Sequence, residues 1–179
     1  MNNILQAFSY NGLILVASPR KAEINLLLVV SHLALGGSLR VVDGGNHFNV
    51  QILSRLIRRK TNKVEDLLNR IYISRAFTCY QMEKMLAEHV YNHWPFLVID
   101  LLNTFTDESL NDDQSHFLME KCVGHLKRIS RTSPVMVSIS PAIALKSRPF
   151  LVHMLLDVAD SHWEWLPKTA SKLQMPLWE

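Results

Sequence analysis

Phosphate binding is the first chemistry that the sequence raises, because an apolar run, a turn and a helical pattern follow one another near the N-terminus. A phosphate-binding loop at such a place needs two glycines, a Lys for the β- and γ-phosphates and a Ser or Thr hydroxyl for Mg²⁺. Aligned on this pattern, the glycines fall at Ala17 and Ala22, the Lys at Glu23 and the hydroxyl at Ile24. Glu23 repels phosphate and Ile24 cannot reach a metal, so the alignment predicts a lost site.

Other polar residues near the same place keep a nucleotide hypothesis open. An atypical phosphate loop built around Ser18, Arg20 and Lys21 is one alternative. Asp43 and Asp100 each end a buried strand pattern and are further candidates. An Asp at the end of a buried strand, as at position 100, often caps the following turn. Because the loop is lost, we favour a vestigial or structural role for Asp100, and we expect no cofactor and no metal.

Basic residues gather at the ends of two helical patterns. Arg55, Arg58, Arg59 and Lys60 form a compact patch, and Lys127, Arg128 and Arg131 form another, with Lys146 and Arg148 in a later loop. Cations at helix C-termini are stabilising by themselves, so their position explains much of this pattern. The four residues of the first patch, with Lys146 and Arg148, are also our candidates for nucleic-acid contact.

Short apolar runs alternate with helical patterns along the whole chain. Strands are predicted at residues 13–17, 39–42, 71–73, 96–101, 135–139 and 162–166, and helices at 21–35, 48–57, 80–91 and 149–158. A further long helix follows the acidic loop at 106–113, with Asp112 or Asp113 as its predicted cap, and ends at about residue 131. The runs are apolar on both faces, which is typical of strands in a parallel sheet covered by helices. The pattern therefore predicts an α/β fold with a mostly parallel central sheet and helices on both faces.

Four segments together resemble the ATPase core of RecA/RadA recombinases. Residues 39–48 (LRVVDGGNHF) resemble the family's second core strand, with Asp43 and Phe48 matching and the catalytic glutamate falling at Gly45. Residues 73–81 resemble the Ala-Arg-Ala-Tyr segment, and 96–100 (FLVID) the Walker B strand. Residues 134–140 resemble the strand that ends in a nucleotide-sensing Gln, here Ser140. The resemblance implies a RecA-like P-loop fold over about residues 12–166, with a degenerate ATP site.

Composition is that of a globular protein that fits a single domain across residues 1–179. The chain is 48% hydrophobic and 20% charged, with a formal net charge of +3, which permits a nucleic-acid partner without requiring one. Two distant cysteines predict buried thiols in a cytoplasmic protein, and no apolar run is long enough for a bilayer.

An apolar C-terminal region predicts a surface for self-association or for a protein partner. Trp163 and Trp165 alternate along the last predicted strand and so share one face, and Met175, Leu177 and Trp178 follow in the tail. Folding back onto the same domain is the alternative explanation for these residues.

Three functional hypotheses follow from the sequence. We favour a non-catalytic recombinase paralogue that acts as an accessory protein in DNA repair or recombination through protein contacts. The alternatives are a DNA-binding module that uses the basic helix ends, and a nucleotide-binding ATPase with an atypical phosphate loop.

Overall fold

The computed structural model describes residues 5–6, 8, 10–19, 23–90, 92–107, 109–140 and 148–165. Its strands are β1 (Gly12–Ala17), β2 (Leu39–Asp43), β3 (Ile71–Arg75), β4 (Phe96–Ile99), β5 (Pro134–Ile139) and β6 (Ser161–Glu164). Its helices are α1 (Glu23–Gly36), α2 (Val50–Arg58), α3 (Val64–Leu68), α4 (Cys79–Ala87), α5 (Asp112–Ser130) and α6 (Pro149–Leu156), with a 3₁₀ helix at Leu101–Phe105.

The six strands form one sheet in the order β3-β2-β4-β5-β1-β6, and every pairing is parallel. The predicted α/β class with a central parallel sheet is therefore confirmed. β1 lies between β5 and β6, with Gly12 beside Pro134 and Ile14 beside Ser161. β3 and β6 are the two edge strands.

Helices cover both faces of the sheet because the strands are apolar on both faces. Leu13 and Leu15 of β1 point into one core, which α4, α5 and α6 cover. Ile14 and Val16 point into the other core, which α1, α2 and α3 cover. This alternation is the period of two that a strand imposes on its side chains.

Two predicted boundaries are wrong for local reasons. The strand predicted at 96–101 ends at Ile99, because Asp100 adopts the left-handed conformation (φ 51°, ψ 49°) and turns the chain into the 3₁₀ helix. The long helix α5 is capped by Asn111, not by Asp112 or Asp113. Asn111 accepts a hydrogen bond from the Gln114 amide at 2.7 Å, and the Gln114 side chain returns one, which is a capping box.

Candidate functional site

A small cleft lies where β1, β2 and β4 end, which is the edge at which open parallel sheets bind ligands. It is lined by Ser18, Pro19, Glu23, Leu26, His47, Ile99 and Asp100. Its volume is about 20 Å³, close to what one water molecule requires. Small-molecule pockets usually measure roughly 300–1,000 Å³. The space that these described residues enclose is therefore far smaller than a typical ligand pocket.

Asp43 uses its carboxylate to shape the loop after β2. Its side chain is fully buried and accepts hydrogen bonds from the backbone amides of Gly45 (3.2 Å), His47 (3.3 Å) and Phe48 (3.0 Å). The Arg75 guanidinium lies 3.7 Å from the same carboxylate. Both oxygens are thus engaged by groups of the protein itself, which is a structural role.

Asp100 closes the cleft against Gly45. A Cβ atom added to Gly45 would lie 2.7 Å from Asp100 Oδ2 and 2.9 Å from both Asp100 Cβ and His47 Cδ2. Real Cβ atoms essentially never come this close to other heavy atoms. The Asp100 amide donates to Ser138 Oγ at 2.9 Å, which ties the residue to β5. Glycine at position 45 is therefore required by the close approach of Asp100.

Glu23 stands in the first turn of α1, where the helix dipole favours a negative charge. Burial raises the pKa of its carboxyl group and the Asp43 charge raises it further, whereas His47 lowers it. A carboxylate of the protein thus occupies the end of the helix at which a phosphate would bind. Ile24 beside it is 49% exposed and offers no ligand atom for a metal.

Only some of the residues predicted to bind a nucleotide lie at this cleft. Ser18 and Asp100 line it, and the Ser18 amide donates to the Ile139 carbonyl at 2.9 Å. Asp43 lies beneath the loop, and Ser140 is buried at the end of β5. Arg20 and Lys21 lie outside the described residues.

The predicted nucleic-acid residues divide into free and engaged side chains. Arg55, Arg58 and Arg59 are exposed on α2. Lys60 donates from Nζ to Ser31 Oγ at 2.9 Å, which joins the end of α2 to α1. Arg148 is mostly buried and donates to the carbonyls of Phe105 and Leu110 and to Asp112, so it holds the segment before α5 in place. Lys146 lies outside the described residues.

Trp163 lies in β6 and Trp165 directly follows it, and both side chains lie on the same face of the sheet, as their alternation predicts. Both are partly buried against the core beneath α1, α2 and α3. This packing accords with the alternative in which they belong to the domain itself. Met175, Leu177 and Trp178 lie outside the described residues.

Other classes of site find little support in the described part of the chain. No cluster of three or more His, Cys, Asp or Glu there could hold a metal ion. Cys79 and Cys122 are buried and unpaired, and burial raises the pKa of both thiols, which makes them inert. No described helix is both long and apolar enough to cross a bilayer.

In comparisons with known proteins, the chain matches no protein-family model and no curated sequence.

The sequence did not reveal a group of exposed apolar residues in and just after β3. Tyr72 and Ile73 of β3, with Phe77 and Tyr80 just after it, are between 37% and 64% exposed, and we call these four residues the β3 surface. The signal available in the sequence was an apolar strand followed by Phe77 and Tyr80. What it could not give was the position of β3 at the edge of the sheet.

Proposed function

We propose that this chain is a non-catalytic, RecA-like accessory protein that supports DNA repair or recombination by binding another protein. The observation that carries the proposal is the β3 surface, an open strand edge flanked by exposed apolar side chains. The resemblance to RecA/RadA recombinases supplies the repair and recombination part. The non-catalytic part is supported by Glu23 in the first turn of α1, where a phosphate would bind, and by the close packing of Asp100 against Gly45.

The geometry of β3 suits the addition of a strand from a partner. β3 pairs with β2 on one side, and no other described strand pairs with its outer edge. An open edge offers backbone donors and acceptors to an extended segment, and side chains around it provide specificity. Tyr72 stacks on Trp94, with ring centroids 5.1 Å apart, so this aromatic group is already held in position. We infer that the partner contributes an extended segment with apolar side chains.

Isolated exposed apolar residues are common on protein surfaces, but an open strand edge with several exposed apolar side chains around it marks an interaction site or an aggregation hazard. Natural edges are usually protected by charges, bulges or covering elements. On β3 the only charged residue is Arg75, and its guanidinium approaches Asp43. A permanent partner would remove this hazard by covering the edge.

The test is to place a photoreactive benzoylphenylalanine at Phe77 and cross-link in the native host. We expect a cross-link to a recombinase or to another recombination protein. With the partner purified, Ile73→Glu combined with Phe77→Asp should weaken binding about 100-fold, because losing two apolar contacts costs roughly 3 kcal/mol.

Phe117→Asp is the matched control, because Phe117 is 56% exposed on α5, away from β3. This variant should bind the partner as the parent chain does. The protein-binding role is wrong if no second protein cross-links at position 77, or if the β3 and α5 variants behave alike. A partner with no part in repair or recombination would contradict that part of the proposal.

A further inference from the structure

We infer that the exposed basic face of α2 binds the phosphate backbone of double-stranded nucleic acid. This inference uses a surface different from β3 and does not depend on the proposed partner. We define the basic face as Arg55, Arg58, Arg59 and Lys63, the last of which lies just before α3. This set differs from the patch predicted from the sequence. Lys60 is left out because its Nζ donates a hydrogen bond to Ser31 Oγ, and Lys63 is included.

Positive charge is concentrated in this segment of the chain. The sequence from Gly44 to Val64 contains no Asp or Glu, yet it holds all four residues of the basic face. All four are exposed, and none of their side chains makes an ion pair with another described residue. A cluster of exposed cations that are engaged in none of the described ion pairs is the electrostatic footprint of a polyanion-binding surface.

The arginines of the basic face repel one another, and this repulsion lowers the stability of α2. Arg55 is three residues before Arg58 and four before Arg59, so the three guanidinium groups lie on one side of the helix. Like charges at this spacing destabilise a helix by a few tenths of a kcal/mol per pair. The C-terminal dipole offsets part of the repulsion, and an anionic ligand would remove the rest.

The residue types favour phosphate over a membrane or a stack of bases. The guanidinium group of Arg matches phosphate oxygens with two parallel hydrogen bonds. The apolar side of α2, with Leu53, Leu56 and Ile57, is buried in the domain and cannot insert into lipid. Neither α2 nor α3 contains an aromatic residue on which an unpaired base could stack. Double-stranded nucleic acid presents its phosphates outward and can be bound without aromatic residues that stack on bases. It is therefore the ligand that fits this surface.

The acids of α3 limit the size of the footprint. Glu65 and Asp66 line a groove of about 610 Å³ together with Arg58 and Lys63. Their charges repel a phosphate from the α3 side of this groove. We therefore expect about four phosphate contacts, all from the basic face, and no reading of base sequence.

The experiment measures fluorescence anisotropy of a labelled 30-base-pair DNA duplex with the full chain between 50 and 200 mM salt. Four contacts predict a slope of log affinity against log salt near −3.6, and hence a loss on the order of a hundredfold over this range. A variant with Arg55, Arg58, Arg59 and Lys63 all changed to Gln should lose about a hundredfold in affinity at 50 mM salt and most of the salt slope.

The matched control changes Lys84, Lys121, Lys127 and Arg131 to Gln. These residues belong to α4 and α5 or directly follow α5, on the other side of the sheet, and the variant has the same net charge. It should bind within about threefold of the parent chain. Circular dichroism and the melting temperature check that both variants are folded.

Duplex RNA, single-stranded DNA, phosphatidylserine vesicles and polyglutamate complete the test. Binding to either duplex supports the inference and shows which nucleic acid is preferred. The inference is overturned by absence of duplex binding at 50 mM salt, by equal losses in the two variants, or by tighter binding to single strands, vesicles or polyglutamate than to both duplexes.

Discussion

Gly45→Ala is the substitution that tests most directly whether the cleft is closed by packing. The added Cβ would meet Asp100 Oδ2 at 2.7 Å and Asp100 Cβ at 2.9 Å, and neither atom can move far in a buried, left-handed residue. Overpacking of this kind costs roughly 1–3 kcal/mol, and the reduced freedom of the unfolded chain returns about 0.4–1 kcal/mol. We expect a net loss of about 1–2 kcal/mol and a fall in the melting temperature of about 5 °C.

The assay is thermal and urea unfolding with two companion variants. Gly124→Ala is the control, because nothing lies within 4 Å of its added Cβ in the middle of α5, and it should stabilise the chain by up to about 1 kcal/mol. Asp100→Gly removes both contacts and suits the left-handed conformation, so in the double variant the cost of Gly45→Ala should largely disappear.

The same geometry predicts that ATP hydrolysis cannot be created by introducing a Lys at position 23 and a Glu at position 45. Glu23→Lys combined with Gly45→Glu should give an unstable protein that does not hydrolyse ATP, because the glutamate side chain collides with Asp100. An unchanged melting temperature in Gly45→Ala, or additive effects in the double variant, would refute the packing argument.

Three further predictions concern chemistry and pH. The purified chain should release no phosphate from ATP with Mg²⁺, and a turnover that disappears in Asp100→Asn would contradict this. Burial lowers the pKa of His89 to about 4, and the charges of Arg40 and Arg128 contribute. As the pH falls, His89 is therefore protonated in the unfolded chain before it is protonated in the folded one. The free energy of unfolding should fall by up to about 3 kcal/mol as the pH drops from roughly 6.5 to 4. Urea unfolding should show that His89→Leu removes this fall and that the exposed His153→Leu does not. Glu23→Gln should raise the free energy of unfolding at pH 7, because the raised pKa marks a carboxylate that is unfavourable when charged, and the gain should fade as the pH falls through that pKa.

The fold could be predicted largely because its strands are buried on both faces. Runs such as 13–17 and 135–139 are apolar at every position or nearly so, a pattern that few other structures produce. The five-residue helix α3 was missed because one turn carries too little periodicity to distinguish it from a loop. Boundaries failed where a single backbone conformation decided them, as at Asp100.

For the candidate site, the sequence could predict which functional groups are missing but not how the remaining side chains pack. The resemblance to RecA/RadA recombinases predicts a lost site at Glu23 and Gly45. It could not predict that Asp100 packs against Gly45, because that contact joins the ends of two different strands. It likewise could not show that Lys60 and Arg148 are engaged by distant oxygens, which residues 31, 105 and 110 supply. Such engagements depend on tertiary distances that spacing along the chain does not encode.

The place of β1 in the sheet makes the order of synthesis matter. β1 leaves the ribosome early, yet both of its neighbours, β5 and β6, are made more than a hundred residues later. At roughly 5–20 residues per second, this apolar strand waits on the order of ten seconds for a partner. During that interval β1 cannot form either of its pairings in the sheet, and apolar surface that stays uncovered in this way favours aggregation. Long-range parallel pairing also makes folding slow.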